Sequence, residues 1–291
     1  MTEEVRQALR ICPPGLRQAI DRLPDAGAME ELRLRCGQPP ACRIAGKEHT
    51  LPLAPVTPEL LRGILEQATQ RSAYAMQEMT RCGFVTLPGG HRLGICGTAV
   101  VQNGTITALR EPSSLNLRIA RQPDGIADRL RDALWARPQS VLLCGAPGSG
   151  KTTLLRDLIR QLSDRFGWRI CVVDERLELA ACASGVPQFR LGAHTDVLSG
   201  APKAAGIELL LRTMNPDWIA VDEITAEADI AAIRSASYCG VRFLATAHAA
   251  DRRELESRPL YRTLLQDGFF RMAAFLLPDR SVRIERGLDH A

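Results

Sequence analysis

Lysine is almost absent from this 291-residue chain: of 37 basic residues only Lys47, Lys151 and Lys203 are lysines, leaving 37 − 3 = 34 arginines. Such a bias reflects a GC-rich coding sequence more than chemistry. It nevertheless gives weight to a lysine set in a glycine loop, where arginine's wide planar fork does not fit a place that needs a compact ammonium. Blocks of like charge are also missing. With a net charge of +4 and 24% charged residues, neither a disordered charged tail nor a strong polyanion-binding face is declared, so nucleic acid is not favoured as a partner. No run approaches the roughly 18 apolar residues of a membrane span, and "MTEEVRQALR" lacks the basic start and apolar core of a signal peptide. A cytoplasmic protein with no span of its own is expected. Nine cysteines, at 12, 36, 42, 82, 96, 144, 171, 182 and 239, form no C-x-x-C pair. They read as small buried hydrophobes in a reducing compartment.

What the chain does have is "GAPGSGKTT". Gly145, Gly150, Lys151 and Thr152 meet the pattern G-x-x-x-x-G-K-[ST] in full. Residues with little or no side chain let successive N–H groups curl around phosphate oxygens, and the following helix adds the positive end of its dipole. The whole stretch, Gly145, Ala146, Pro147, Gly148, Ser149, Gly150, Lys151, Thr152 and Thr153, is therefore the expected binding loop for ATP. Lys151 reaches the β and γ phosphates, and the Thr152 hydroxyl serves Mg²⁺.

The length suits two domains of about 100–200 residues each. In the first half, "TPELLRGILEQA" predicts a helix with Thr57 as cap, Pro58 at its first position and Leu60, Leu61, Ile64, Leu65 and Ala68 on one face. Short alternating segments surround it: Leu32, Leu34 and Cys36, then "GFVTL", "HRLGIC", "GTAVVQ", "TITAL" and "SLNLRIA", parted by glycine-containing turns. This is an α+β module on an antiparallel sheet, spanning 1–121 and ending in the linker "RQPD". From there, 122–291, helices alternate with continuous apolar runs, "SVLLC", "RICVV", "WIAV" and "RFLAT", as in a parallel α/β sheet covered on both faces. The late segment "FFRMAAFLL" reads as a core helix, or alternatively as a docking face.

Functional residues in such a sheet collect at the carboxyl ends of its strands. "WIAVDEI" delivers Asp222, suited to the Mg²⁺ shell, and Glu223, suited to the attacking water. "VVDERLEL" supplies a second acidic set, Asp174, Glu175 and Glu178, with Glu175 the competing candidate for the catalytic base. "FLATAHAAD" places Thr246 and His248 after a fourth strand, where His248 suits a phosphate sensor. No cation between the glycine loop and His248 stands out to complete the site in cis.

Taken together these segments resemble the secretion-type ATPases of the RecA-like class, the ring motors of type II and type IV secretion and pilus assembly. "RTMNPDWIAVDEI" resembles their Arg-x-x-Pro-Asp stretch and Walker B strand, and "TAHA" their histidine box. A narrower resemblance, from about residue 30 to 250, is to the AA family of stage III sporulation proteins, carried by "GGHRLGICGTAV", "SSLNLRIAR", "GAPGSGKTTLLRD", "VVDERLELA" and "LLRTMNPDWIAVDEI". The resemblance implies a RecA-like domain behind a smaller α+β domain, a homo-oligomeric ring, a hexamer, and membrane-embedded sporulation proteins as partners at whose membrane the chain is peripheral. It also implies an arginine brought from the N-terminal module, with Arg118 leading and Arg92 second. Three features depart from the larger motors: Asp222 stands where glycine is usual, Thr225 stands where an arginine often follows, and no tetracysteine metal module is present. Two other readings share parts of this pattern. "LSGA" at 198–201 is similar to an incomplete ABC transporter motif, without room for that class's inserted helical domain, and a nucleic-acid motor can use the same core.

Overall fold

Alternating apolar residues in the first third of the chain build one face of an antiparallel sheet. The structure, a computed structural model, describes residues 1–69 and 83–288. It divides into two compact units, the first made of Met1–Arg121 with Cys182–Gln188, the second of Gln122–Ala181 with the chain from Phe189 onward.

In the first unit, strands β1 (Met29–Arg35), β2 (Ala41–Ile44), β3 (Lys47–Thr50), β4 (Phe84–Thr86), β5 (Arg92–Gln102) and β6 (Thr105–Arg118) lie in the order β3-β2-β1-β6-β5-β4. Leu32, Leu34, Leu93, Leu115 and Leu117 are all buried from this sheet. Helices α1 (Glu3–Ala8), α2 (Pro14–Asp21) and α3 (Pro58–Thr69) bring Val5, Leu16, Ile20, Leu61 and Ile64 to the same core. The Thr57 hydroxyl accepts the Leu60 N–H at 3.3 Å, so α3 starts where its cap requires. Two segment pairs expected as separate strands are continuous instead: "HRLGIC" with "GTAVVQ" forms β5, and "TITAL" with "SLNLRIA" forms β6. Gly97 ends no strand because it sits in a bulge where the register shifts between Cys96 and Thr98. A Cβ there would lie 2.5 Å from the Arg110 carbonyl oxygen. Glu111, at φ 47°, takes up the irregularity on the facing strand, which is how Pro112 is tolerated inside a ladder.

The second unit holds β7 (Ser140–Cys144), β8 (Ile170–Asp174), β9 (Thr195–Ser199), β10 (Trp218–Val221), β11 (Arg242–Ala247), β12 (Phe270–Leu276) and β13 (Val282–Arg286), in the order β13-β12-β7-β11-β10-β8-β9. All neighbours are parallel except β13 with β12. Around the sheet run α4 (Asp128–Ala136), α5 (Lys151–Phe166), α6 (Lys203–Thr213), α7 (Glu227–Tyr238), α8 (Arg252–Ser257) and α9 (Pro259–Gln266). Every residue of β7, β8 and β10 is buried, which explains why these strands read as unbroken apolar runs.

"FFRMAAFLL" is a strand and not a helix. It forms β12, paired with β7, with Phe270 and Met272 to Phe275 fully buried, so it presents no docking face. A short apolar run carries no period that separates a buried strand from a buried helix, and here pairing with the strand before the glycine loop decides. "LSGA" closes edge strand β9 and the turn before α6, where the Gly200 N–H donates to the Asp174 carbonyl at 2.9 Å. Cys12, Cys42, Cys144, Cys171 and Cys182 are buried, whereas Cys36, Cys96 and Cys239 are exposed, and Cys82 falls outside the described residues. Among the described residues no helix is long and apolar enough to cross a membrane.

Candidate functional site

The glycine loop joins β7 to α5, and Gly150 stands at the helix N-cap with φ 101°, a backbone conformation closed to residues bearing a Cβ. The next residue, Lys151, is buried, and its ammonium donates to the Gly145 and Ala146 carbonyls at 2.9 Å each. Burial pushes its pKa below the usual lysine range, and the carboxylates of Glu223 and Asp222 pull it back. The Ser149 hydroxyl is buried in the loop without a protein hydrogen-bond partner, and is thus positioned to serve a phosphate oxygen.

β11 and β10 deliver the remaining groups from adjacent positions in the sheet. The third contact of Lys151 Nζ is His248 Nδ1 at 3.1 Å. An ammonium only donates, so Nδ1 accepts and the ring proton lies on Nε2. Nε2 stands 3.0 Å from Glu223 Oε2. His248 therefore links the loop lysine to Glu223. The Tyr261 hydroxyl of α9 fixes both strand ends, receiving the His248 N–H at 3.4 Å and donating to the Ile224 carbonyl at 3.3 Å. No motif announces Tyr261, which lies 13 residues from His248 on a helix of its own.

Asp222 faces Thr152 and Thr246. Its Oδ2 is 3.4 Å from Thr152 Oγ1, and its Oδ1 accepts from the fully buried Thr246 hydroxyl at 2.8 Å. Thr152 and Asp222 thus present a hydroxyl and a carboxylate oxygen side by side, the hard donor set that suits Mg²⁺, an ion that keeps several waters and takes few protein ligands. These residues fit the metal. No group of three or more His, Cys, Asp or Glu side chains arranged for a metal ion occurs among the described residues.

The second acidic set is divided among different tasks. Asp174, buried at the end of β8, accepts N–H groups from Glu178 and Leu179 at 2.8 and 3.0 Å and from Ala180 at 2.8 Å. Burial raises its pKa, and the three donors oppose that rise. Arg156 of α5 holds the same loop from outside, donating to the Leu179 and Glu178 carbonyls at 2.9 Å each. Glu175 is paired with Lys203, the buried first residue of α6, which is also 3.9 Å from Asp229. Glu178 lines the cleft with Lys151, Thr152, Asp222, Glu223 and His248, and so does Arg176. Arg176, a cation the sequence reading passed over, lies at the cleft with its Nη1 3.4 Å from Glu223 Oε2. Embedded between acids in "DERLEL", Arg176 carries no motif signal, and only the turn after β8 brings it to the cleft.

Arg118 and Arg92 belong to the first unit. They face each other across β6 and β5; Arg118 is exposed with Nε 3.8 Å from the Glu31 carboxylate, and Arg92 lies over the Phe84 ring at 4.3 Å.

The sequence profile of the family described as sporulation stage III, protein AA, matches residues 2–283. The chain is 34% identical over 273 residues to stage III sporulation protein AA of Bacillus subtilis (strain 168), covering 91% of this chain and 89% of that protein. Among solved structures, the Legionella pneumophila ATPase DotB superposes with TM-score 0.61 at 16% identity, over 94% of this chain and 80% of that one. The pilus retraction motor PilT with bound ADP does so with TM-score 0.61 at 21% identity, over 92% and 80%. At these identities the likeness defines the fold: a RecA-like α/β unit of the secretion-ATPase kind with a separate antiparallel N-terminal sheet.

Proposed function

The chain belongs to the sporulation stage III, protein AA family, and from that premise we propose that it is an ATPase, the motor of a secretion-like apparatus assembled during sporulation. The observation that carries this reading is the Lys151–His248–Glu223 chain of contacts beside the Thr152–Asp222 pair. It joins a phosphate-binding lysine, a carboxylate base and a metal-suited oxygen pair in one cleft.

The residues divide the work as follows. The glycine loop from Gly145 to Thr153 wraps the phosphates, with Lys151 at the β and γ groups. Thr152 and Asp222 would hold Mg²⁺, which would supply neutralising positive charge to the phosphates. Glu223 orients the attacking water and accepts its proton. His248 senses the terminal phosphate, since Lys151 and Glu223 are its two partners and any change at one reaches the other. Glu175, committed to Lys203, supports the loop after β8. Arg118 is the leading candidate for an arginine presented to a neighbouring subunit's site, with Arg92 second, in a homo-oligomeric hexameric ring. The load is a membrane-embedded complex, with the chain peripheral at the cytoplasmic face through its partners.

Glu223→Gln tests the assignment, because it keeps shape and polarity but removes the base. ATP binding is expected to persist while turnover falls by roughly 10²–10⁴-fold. A Glu175→Gln protein that is slower than Glu223→Gln reverses the two roles, and a purified wild-type protein that neither binds nor hydrolyses ATP refutes the function.

A further inference from the structure

Arg176 brings a guanidinium into the cleft that the division of work above leaves unused. Its Nη1 lies 3.4 Å from Glu223 Oε2, the same oxygen that faces His248 Nε2. The contacts therefore run without a break from Lys151 through His248 and Glu223 to Arg176. The side chain is 54% exposed.

The loop beneath it is fixed. On one side Glu175 pairs with Lys203. On the other, Asp174 gathers three backbone N–H groups, and Arg156 holds two carbonyls. Leu177 sits in between at φ 57°, a left-handed conformation that a large side chain keeps only where surrounding contacts enforce it. A long, charged side chain thus rises from an anchored base into the space where Lys151 marks the terminal phosphates.

We propose that Arg176 is a catalytic residue supplied in cis, donating hydrogen bonds to the γ-phosphoryl oxygens of ATP. The proposal rests on the nucleotide reading above. A planar fork of five donors can serve a carboxylate and a phosphate from different edges. As the phosphoryl group binds, the guanidinium moves from Glu223 toward it, and the Glu223 carboxylate is left to the attacking water. The water oxygen bonds to phosphorus while the bond from phosphorus to the β–γ bridging oxygen breaks. That bond's electron pair leaves with ADP, and the water proton passes to Glu223. Arg176 transfers nothing; it stabilises the charge spread over the equatorial oxygens.

The test compares full-length wild type, Arg176→Ala and Arg176→Lys for Mg-ADP affinity, Mg-AMPPNP affinity and ATP turnover, with melting curves as a check on folding. For Arg176→Ala, ADP affinity is expected within about twofold of wild type, because ADP lacks the γ phosphate. AMPPNP affinity should fall by roughly tenfold and turnover by roughly 10²–10³-fold, at or below the lower end of the roughly 10³–10⁵ range for an arginine on a transferring phosphoryl group. Arg176→Lys is expected to recover AMPPNP affinity in part while turnover remains low, and it keeps the test standing if the alanine protein fails to fold. Turnover within threefold of wild type, or ADP and AMPPNP affinities falling together, overturns the role of Arg176. Wild type that binds neither nucleotide overturns the nucleotide reading itself, and this inference with it.

Discussion

Lys151 shows how much of this site rests on single side chains. Its ammonium is buried and fully engaged by two carbonyls and His248, so on the proposed reading Lys151→Ala removes both the charge meant for phosphate and the partner of His248. Nucleotide binding or turnover should be abolished, as read by calorimetry and phosphate release. His248→Ala acts later in the sequence of events: ATP affinity is expected within a few fold of wild type, with reduced turnover. Unchanged turnover with a lower melting temperature would instead make His248 a structural residue. The buried Thr246 hydroxyl holds the Asp222 oxygen turned away from Thr152, which on the proposed reading makes it a positioning residue. Thr246→Val keeps the shape and removes that hydrogen bond, so the Mg²⁺ concentration for half-maximal turnover should rise several-fold while the melting temperature changes little. A valine variant with wild-type Mg²⁺ dependence excludes the positioning role.

The informative element is the loop after β8. Three N–H groups converge on Asp174, and Asn in its place puts an amide NH₂ where one carboxylate oxygen accepted. At least one buried donor is then left unpaired, a cost of about 1–3 kcal/mol. Urea denaturation of Asp174→Asn should show that loss, and turnover should fall as well, because Arg176 and Glu178 ride on the loop. Stability equal to wild type would mean that Arg156 alone holds the loop. β12 teaches a related lesson, since "FFRMAAFLL" acquires its conformation from β7. The two interrupted patterns in β5 and β6 become continuous strands because a bulge absorbs Gly97 and Pro112 together.

For the whole molecule, acid sensitivity and assembly are the readable properties. His91, fully buried in the first unit, accepts the Ala120 N–H on Nδ1 at 3.0 Å. Burial pushes its pKa from 6.5 down to about 4, and the nearby Glu4 carboxylate opposes that only in part. Because the unfolded chain binds this proton more readily, the stabilising contribution is complete above pH 6.5 and is lost as pH falls toward 4. Between pH 7.5 and 5 the loss amounts to about 2 kcal/mol. Denaturation at both pH values should show it, and His91→Gln should flatten the dependence; an equally steep variant assigns the acid sensitivity to other groups. For assembly, an ATP-promoted ring should give specific activity that rises with protein concentration, together with a light-scattering mass that increases with a slowly hydrolysed analogue. A strictly monomeric protein with flat specific activity and a fully active Arg118→Ala variant refutes both the ring and the shared arginine.

The amino-acid sequence by itself determined the features whose physics is local. The glycine loop between β7 and α5 follows from glycines next to a single lysine, the start of α3 from Thr57 and Pro58, and the parallel sheet from apolar runs that end in acids. Asp222, Glu223 and His248 were legible because a parallel sheet delivers whatever follows each strand to the same edge. Tertiary structure alone decided the rest. Arg176 and Tyr261 carry no pattern of their own and enter the site because the turn after β8 and the packing of α9 bring them there. Whether Glu175 or Glu223 faces Lys151 was likewise undecided in the sequence, since both are glutamates following an aspartate at a strand end. The difference lies in a partner 28 residues away, Lys203, whose charge holds Glu175, while His248, just past the end of the neighbouring strand β11, draws Glu223 toward the glycine loop.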